Sequence, residues 1–120
     1  MVNDAPPQPF YSLSLIKALV EANHFLVVNS RANNRLEDLN WDSIKIKSFI
    51  GALNEGHFVK RYPECNYGNR QIDCDGYKMS FDEDECVEDI HNGLQIFIKL
   101  ADMNHSKTLI ISFHLEGSPG

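Results

Sequence analysis

Gly93-Leu94-Gln95-Ile96-Phe97-Ile98-Lys99-Leu100 and Thr108-Leu109-Ile110-Ile111-Ser112-Phe113-His114-Leu115 decide the reading of this chain. In the first run Leu94, Ile96, Ile98 and Leu100 alternate with Gln95, Phe97 and Lys99. In the second, Leu109, Ile111, Phe113 and Leu115 alternate with Ile110, Ser112 and His114. A period of two sends alternate side chains to opposite faces of a strand. Each run therefore offers one apolar face to a core and keeps a second, mixed face, where Lys99 and His114 fall. Asn92-Gly93 is a turn signal, and the polar stretch Asp102–Lys107 joins the runs, so the pattern predicts an antiparallel hairpin.

Upstream, His57–Tyr62 is β-prone and ended by Pro63. Alternation there sets Phe58, Lys60 and Tyr62 against His57, Val59 and Arg61. A weaker strand, Arg70–Met79, is interrupted by Gly76 and follows the turn-rich Asn66-Tyr67-Gly68-Asn69. Asp82–Asp89 is an acidic excursion for which Cys86 and Val87 are the anchors.

Before these strands the period is helical. Ser12 can cap a helix to about Asn23 with the stripe Leu13, Ile16, Leu19 and Val20. Phe25–Val28 fits an edge strand or an extended link. Asn29-Ser30 offers a cap for a helix near residues 31–39. Asn40 or Asp42 can cap a third helix to about Leu53, with Trp41, Ile44, Phe49, Ala52 and Leu53 inward, Ile50 beside them, and Lys45 and Lys47 in solvent. Helices followed by antiparallel strands predict an α+β fold, with the N-terminal helices packed on one face of an antiparallel sheet. We expect a single domain over residues 12–116, a disordered Pro-rich lead-in over 1–11, and a loose tail over 117–120.

The 120 residues carry a net charge of −6, unevenly placed. Through Pro63, seven Lys/Arg face six Asp/Glu; from Glu64 on, four face eleven. Six of those acids lie within Asp82–Asp89. This excludes the broad basic surface of a non-specific nucleic-acid binder and leaves room for a small local basic site. No apolar run reaches the roughly 20 residues of a membrane helix, and the start lacks the features of a signal peptide, so a cytoplasmic protein is expected. The three cysteines, Cys65, Cys74 and Cys86, are an odd number, which speaks against a disulfide framework. With His91 they supply four zinc-type ligands, but without a close Cys-x-x-Cys pair. Reduced thiols, and no metal or cofactor, are the expectation.

In this order the elements resemble the MqsR family of toxins from bacterial type II toxin–antitoxin systems, which have a RelE-like fold. Four stretches carry the resemblance: Leu13–Val20; Ile50-Gly51-Ala52-Leu53 with His57-Phe58-Val59-Lys60; Asp75-Gly76-Tyr77; and Ile98-Lys99-Leu100 with Leu109–Phe113. The resemblance implies a metal-independent endoribonuclease that cleaves mRNA and is neutralised by a cognate antitoxin. Lys60 then matches a family active-site lysine and Tyr77 a tyrosine near the site. Cys74 stands where the family has a glutamine, Phe97 where it has a tyrosine, and His114 where it has a lysine. Arg61-Tyr62-Pro63 replaces the family's Lys-Ser-Met-Thr run.

The residues are chemically suited to this reading. Metal-free RNA cleavage needs a base for the ribose 2′-hydroxyl, an acid for the leaving oxygen, and cations for the developing charge. His114 is of the type that transfers protons near neutral pH. The expected catalytic set is His114, Lys60 and Tyr77, and Lys99, Arg61, Arg70 and Tyr67 are the expected substrate-binding groups. The alternative is a non-catalytic module of the same fold that holds a protein partner, with the His57–Tyr62 edge open to strand pairing. A further expectation is that Asp82–Asp89 folds over the basic groups as a phosphate mimic.

Overall fold

A computed structural model describes residues 8–116. Ser12 caps helix α1 (Leu13–Glu21), its hydroxyl accepting from Leu15 N. Asn29 caps α2 (Ser30–Asp38), and Asp42 caps α3 (Ser43–Ala52). Asn40, an alternative cap for α3, instead takes a positive φ of 59° at the end of α2, as Asn23 does after α1 with 66°. Asparagine tolerates this left-handed region better than most residues. α3 buries Ile46, Phe49 and Ile50, while Ile44 is 70% exposed, which corrects the expected stripe. Trp41 lies ahead of the helix, so counting from it put Ile44 in the wrong phase. Lys45 is not free in solvent either, since its ammonium donates to the Glu83 carbonyl.

The strands are β1 (Phe25–Val27), β2 (Phe58–Tyr67), β3 (Arg70–Asp82), β4 (Val87–Glu88), β5 (Leu94–Met103) and β6 (Lys107–Leu115). They form one sheet in the order β1-β6-β5-β3-β2, with β4 on β3. All pairings are antiparallel except β1 with β6, which is parallel. β2 runs through Pro63 rather than stopping there, because β2 is an edge strand and a missing N–H costs no ladder bond on its open side.

The helices cover one face. Ile16, Val20, Leu36, Phe49, Ile50 and Leu53 pack on Tyr77, Phe81, Ile96, Ile98, Leu100 and Ile110. Trp41 fills the centre, its ring 5.7 Å from Phe49, 5.7 Å from Phe81 and 5.3 Å from Phe113. A smaller cluster of Cys74, Ala101, Leu109 and Ile111 lies apart from this core.

Bulges decide which residues reach which face. Lys99 pairs with Ser112 but Leu100 with Ile110, so Ile111 is an extra residue in β6. The strand's alternation changes phase there. Ile110 therefore enters the helix-side core, and Leu109 and Ile111, expected on that side, join the outer cluster. The same happens at Val59. Phe58 pairs with Tyr77 and Lys60 with Gly76, so Phe58 faces the helices while Lys60 and Tyr62 face outward. A further irregularity between Tyr62 and Cys65 includes Glu64 at φ 60°.

Two expectations from the termini and cysteines change. Residues 1–7 of the lead-in and 117–120 of the tail lie outside the described residues. Phe10 and Tyr11, expected within a disordered lead-in, are held: both backbone N–H groups donate to the Asp75 carboxylate, at 2.9 and 3.0 Å. Cys65 and Cys74 are joined as a disulfide across β2 and β3, with Cα atoms 6.4 Å apart, and Cys86 is free. The odd count hid this pair, which the β2–β3 hairpin brings together across its two strands.

Candidate active site on the uncovered sheet face

Lys60 of β2, Gly76 of β3, Lys99 of β5 and Ser112 of β6 stand in one row across four strands. The row lies on the face away from the helices. The neighbouring row holds Lys78, Phe97 and His114. Lys99 and His114 are thus diagonal neighbours across β5 and β6, a relation that places Cβ atoms about 7–8 Å apart.

Tyr62 is the centre of the arrangement. The Lys99 ammonium lies 4.2 Å, and the Lys60 ammonium 4.9 Å, from its ring centroid. Its ring meets Phe97 edge-on at 5.8 Å, and Phe97 in turn lies against the His114 imidazole at 5.1 Å. Gly76 makes room for this. A Cβ there would stand 2.5 Å from Tyr62 and 2.9 Å from Phe97. Burial, and secondarily the charge of Lys60, lowers the pKa of Lys99. Burial, and then Glu116, raises that of Tyr62. His114 is about one-third exposed, and its Nε2 is 3.7 Å from a Glu116 carboxylate oxygen.

Such a face combines two cations, one imidazole and the half-buried Tyr62 ring, with Phe97 buried beneath them. The cations suit a phosphate, the Tyr62 ring suits an unstacked base, and the imidazole suits proton transfer.

Lys60, Lys99 and His114 are thereby brought together, but the other predicted residues are not. Tyr77 is fully buried on the helix side, stacked against Phe58 at 5.7 Å. Burial, then the charges of Asp75 and Glu55, pushes its phenol up to about 12, and its hydroxyl has no partner among the described residues. It points away from Lys60 because neighbours of Gly76 on β3 face the other side. Arg61 pairs with Asp75 on that same opposite side, its guanidinium 5.0 Å from the Phe10 ring. Tyr67 and Arg70 flank the turn joining β2 and β3, six residues along β3 from Gly76, a span of about 20 Å in a strand. None of these four belongs to the cluster. Sequence reasoning missed Tyr62 as a site residue, although its spacing from Lys60 put both on one face.

The acidic segment does not close over these groups. Glu83 accepts from the Trp41 indole and from Lys45, and Glu88 meets His57 at 2.8 Å. The segment therefore docks on α3 and the start of β2. Among the described residues no group of three or more His, Cys, Asp or Glu could hold a metal ion, and no helix is long and apolar enough to cross a membrane.

A family model described as "Motility quorum-sensing regulator, toxin of MqsA" matches residues 8–115. The chain belongs to the MqsR toxin family. The match takes in all three helices and all six strands, so the outer face just described is part of the family's domain. MqsR proteins are toxins of toxin–antitoxin pairs, and the α+β arrangement is consistent with that assignment. No curated protein sequence matches the chain.

Proposed function

We propose that this MqsR-family toxin is a metal-independent, sequence-selective endoribonuclease that cuts mRNA on the uncovered sheet face, and that a cognate antitoxin neutralises it. The observation that carries the reading is the seating of Lys60 and Lys99 on one tyrosine ring, with His114 a diagonal step away.

The chemistry follows from the groups. A base removes the proton of a ribose 2′-hydroxyl, and that oxygen attacks the adjacent phosphorus. The bond from phosphorus to the 5′-oxygen breaks, an acid protonates that oxygen, and a 2′,3′-cyclic phosphate and a 5′-hydroxyl result. His114 is the proton-transfer residue. Lys60 and Lys99 hold the phosphate and stabilise the charge that develops on its oxygens. Tyr62 offers a face for a base beside the cut, and the buried Phe97 packs between it and His114. Phe97 lacks the hydroxyl that the family has at this position, and Tyr62 returns a phenol to the same face from β2, across β3. Cytoplasmic mRNA is the substrate in this reading.

The test is digestion of a long, mixed-sequence RNA by purified protein in EDTA, beside His114→Ala and Lys60→Ala. Cleavage at a few short motifs, lost in both variants, is expected. Cleavage undiminished in either variant overturns its assigned role. No cleavage by folded protein overturns the enzyme in favour of a non-catalytic binding module.

A further inference from the structure

β6 is covered along its first half by β1, which pairs only with Thr108–Ile110. After Val28 donates to Ile110 O, the chain leaves this edge and enters α2. The edge of β6 from Ile111 onward is therefore bordered by α2 instead of a strand. Two concavities open there. One, of about 330 Å³, is lined by residues including Tyr62, Lys99, Ser112 and Asn29. The other, of about 280 Å³, is lined by residues including Asn29, Arg31, Arg35, Ser112 and His114. They share Asn29 and Ser112, so they adjoin, and together they lead from Tyr62 and Lys99, past His114, onto α2.

The charge along this groove is consistent. Arg31 and Arg35 are four residues apart and so share one side of α2. Neither forms an ion pair with a carboxylate among the described residues; His57, Lys78, His105 and His114 are the groups that do. The helix cap does not compete for the same ligand, because Asn29 already accepts from the backbone N–H groups of Arg31 and Ala32. Glu64, Glu116 and Asp38 are the nearby acids: the first lines the larger concavity, the second stands beside His114, and the third lines a separate small concavity with Arg35 without pairing to it.

We propose that Arg31 and Arg35 form a phosphate-binding subsite for single-stranded RNA, reached across Asn29 and Ser112, that holds the nucleotides on one side of the cleaved bond. This rests on the ribonuclease reading above. A base lies over Tyr62, and the backbone then turns over the β6 edge to the two guanidiniums. Arginine is suited to this, since its planar fork can bind a phosphate through two parallel hydrogen bonds.

The experiment measures binding of a mixed-sequence single-stranded RNA, 2′-O-methylated throughout so that it cannot be cut, as a function of salt. Arg31→Gln/Arg35→Gln is compared with the wild type, Arg31→Lys/Arg35→Lys and Lys60→Gln/Lys99→Gln. Each phosphate contact to a single strand contributes about −0.7 to the slope of log K against log salt, so losing two makes the slope shallower by about 1.4. We expect that change in the Gln pair, an affinity loss on the order of tenfold at low salt, and a slope restored by the Lys pair. An unchanged slope in the Gln pair, with a loss in Lys60→Gln/Lys99→Gln, overturns the subsite and leaves the ribonuclease reading standing. A Lys pair as deficient as the Gln pair overturns it too, by showing that charge is not what α2 supplies. A wild type that does not bind RNA overturns both.

Discussion

Gly76→Ala tests the outer face most directly. The new methyl carbon would stand 2.5 Å from Tyr62 Cε2, 2.9 Å from Phe97 Cζ and 3.2 Å from Phe97 Cε1. Favourable carbon–carbon separations begin at about 3.5 Å, so the Tyr62 ring must retreat by roughly 1 Å. Phe97 is only 6% exposed and cannot give way easily, whereas Tyr62 sits on an edge strand and can. Overpacking of this kind costs about 1–3 kcal/mol. Replacing a strand glycine returns about 0.5–1 kcal/mol through the unfolded chain. The net expectation is a loss of about 0.5–2 kcal/mol, a melting temperature lower by several degrees. Activity falls further than stability. Tyr62 would be displaced from beneath Lys60 and Lys99, and a misplacement of about 1 Å can cost on the order of 10²-fold in rate. Melting and RNA cleavage are measured on Gly76→Ala, Tyr62→Ala and the double variant. With the tyrosine ring gone, Gly76→Ala should cost less, a coupling of about 0.5–3 kcal/mol. Gly76→Ala with wild-type melting and cleavage refutes the close packing and the role of Tyr62 together.

Tyr77→Phe removes a buried hydroxyl that has no partner among the described residues. It should leave cleavage unchanged and hold or raise stability by up to about 1 kcal/mol; a large loss of cleavage in a stable variant would place Tyr77 in the chemistry after all. Lys99, whose pKa is lowered by burial and then by Lys60, should titrate below the usual lysine range, and Lys60→Met should raise its midpoint partway back. Between the lowered value and 10.5 the unfolded chain binds more protons than the native state, so Lys99's contribution to stability rises with pH through that window. A side-chain NMR titration checks both, and a midpoint indifferent to Lys60→Met contradicts the coupling. Cys65→Ser opens a crosslink between residues nine apart in sequence. It should cost about 2–3 kcal/mol by chain-entropy arithmetic, read as a lower denaturant midpoint. A midpoint that neither this variant nor a reductant moves means that the bond does not form in solution.

The helices and the C-terminal hairpin were legible because their signals are local. Ser12, Asn29 and Asp42 each cap the helix that follows them, and the alternation in Leu94–Leu100 survives intact in β5. Lys60, Lys99 and His114 were legible one by one, from alternation and from the family resemblance, but that they neighbour one another across the sheet was not. The errors come from insertions of one residue. Val59 separates the face of Phe58 from that of Lys60, and Ile111 reverses the sense of Leu109. Nothing in a hydrophobic pattern marks which residue is unpaired, because a bulge depends on both strands. Tyr77 was misplaced differently: its sequence position resembled a site residue, but adjacent strand residues point to opposite faces, and Gly76 holds the outward place. Spacing alone put Tyr62 on the face of Lys60, but only tertiary packing sets its ring between Lys60 and Lys99.

The parallel pairing of β1 with β6 has a consequence for synthesis. Phe25–Val27 can pair only with Thr108–Ile110, more than eighty residues later. β6 lies inside the sheet, between β1 and β5, and carries Ser112 and His114. A ribosome makes the helices first, yet the floor on which α2 rests arrives with β6. Contacts this distant in sequence form late and slowly. A nascent chain that has not reached residue 115 therefore has neither a finished core nor a finished outer face. Under the proposed activity, the message being translated is spared until the strand that completes the blade has emerged.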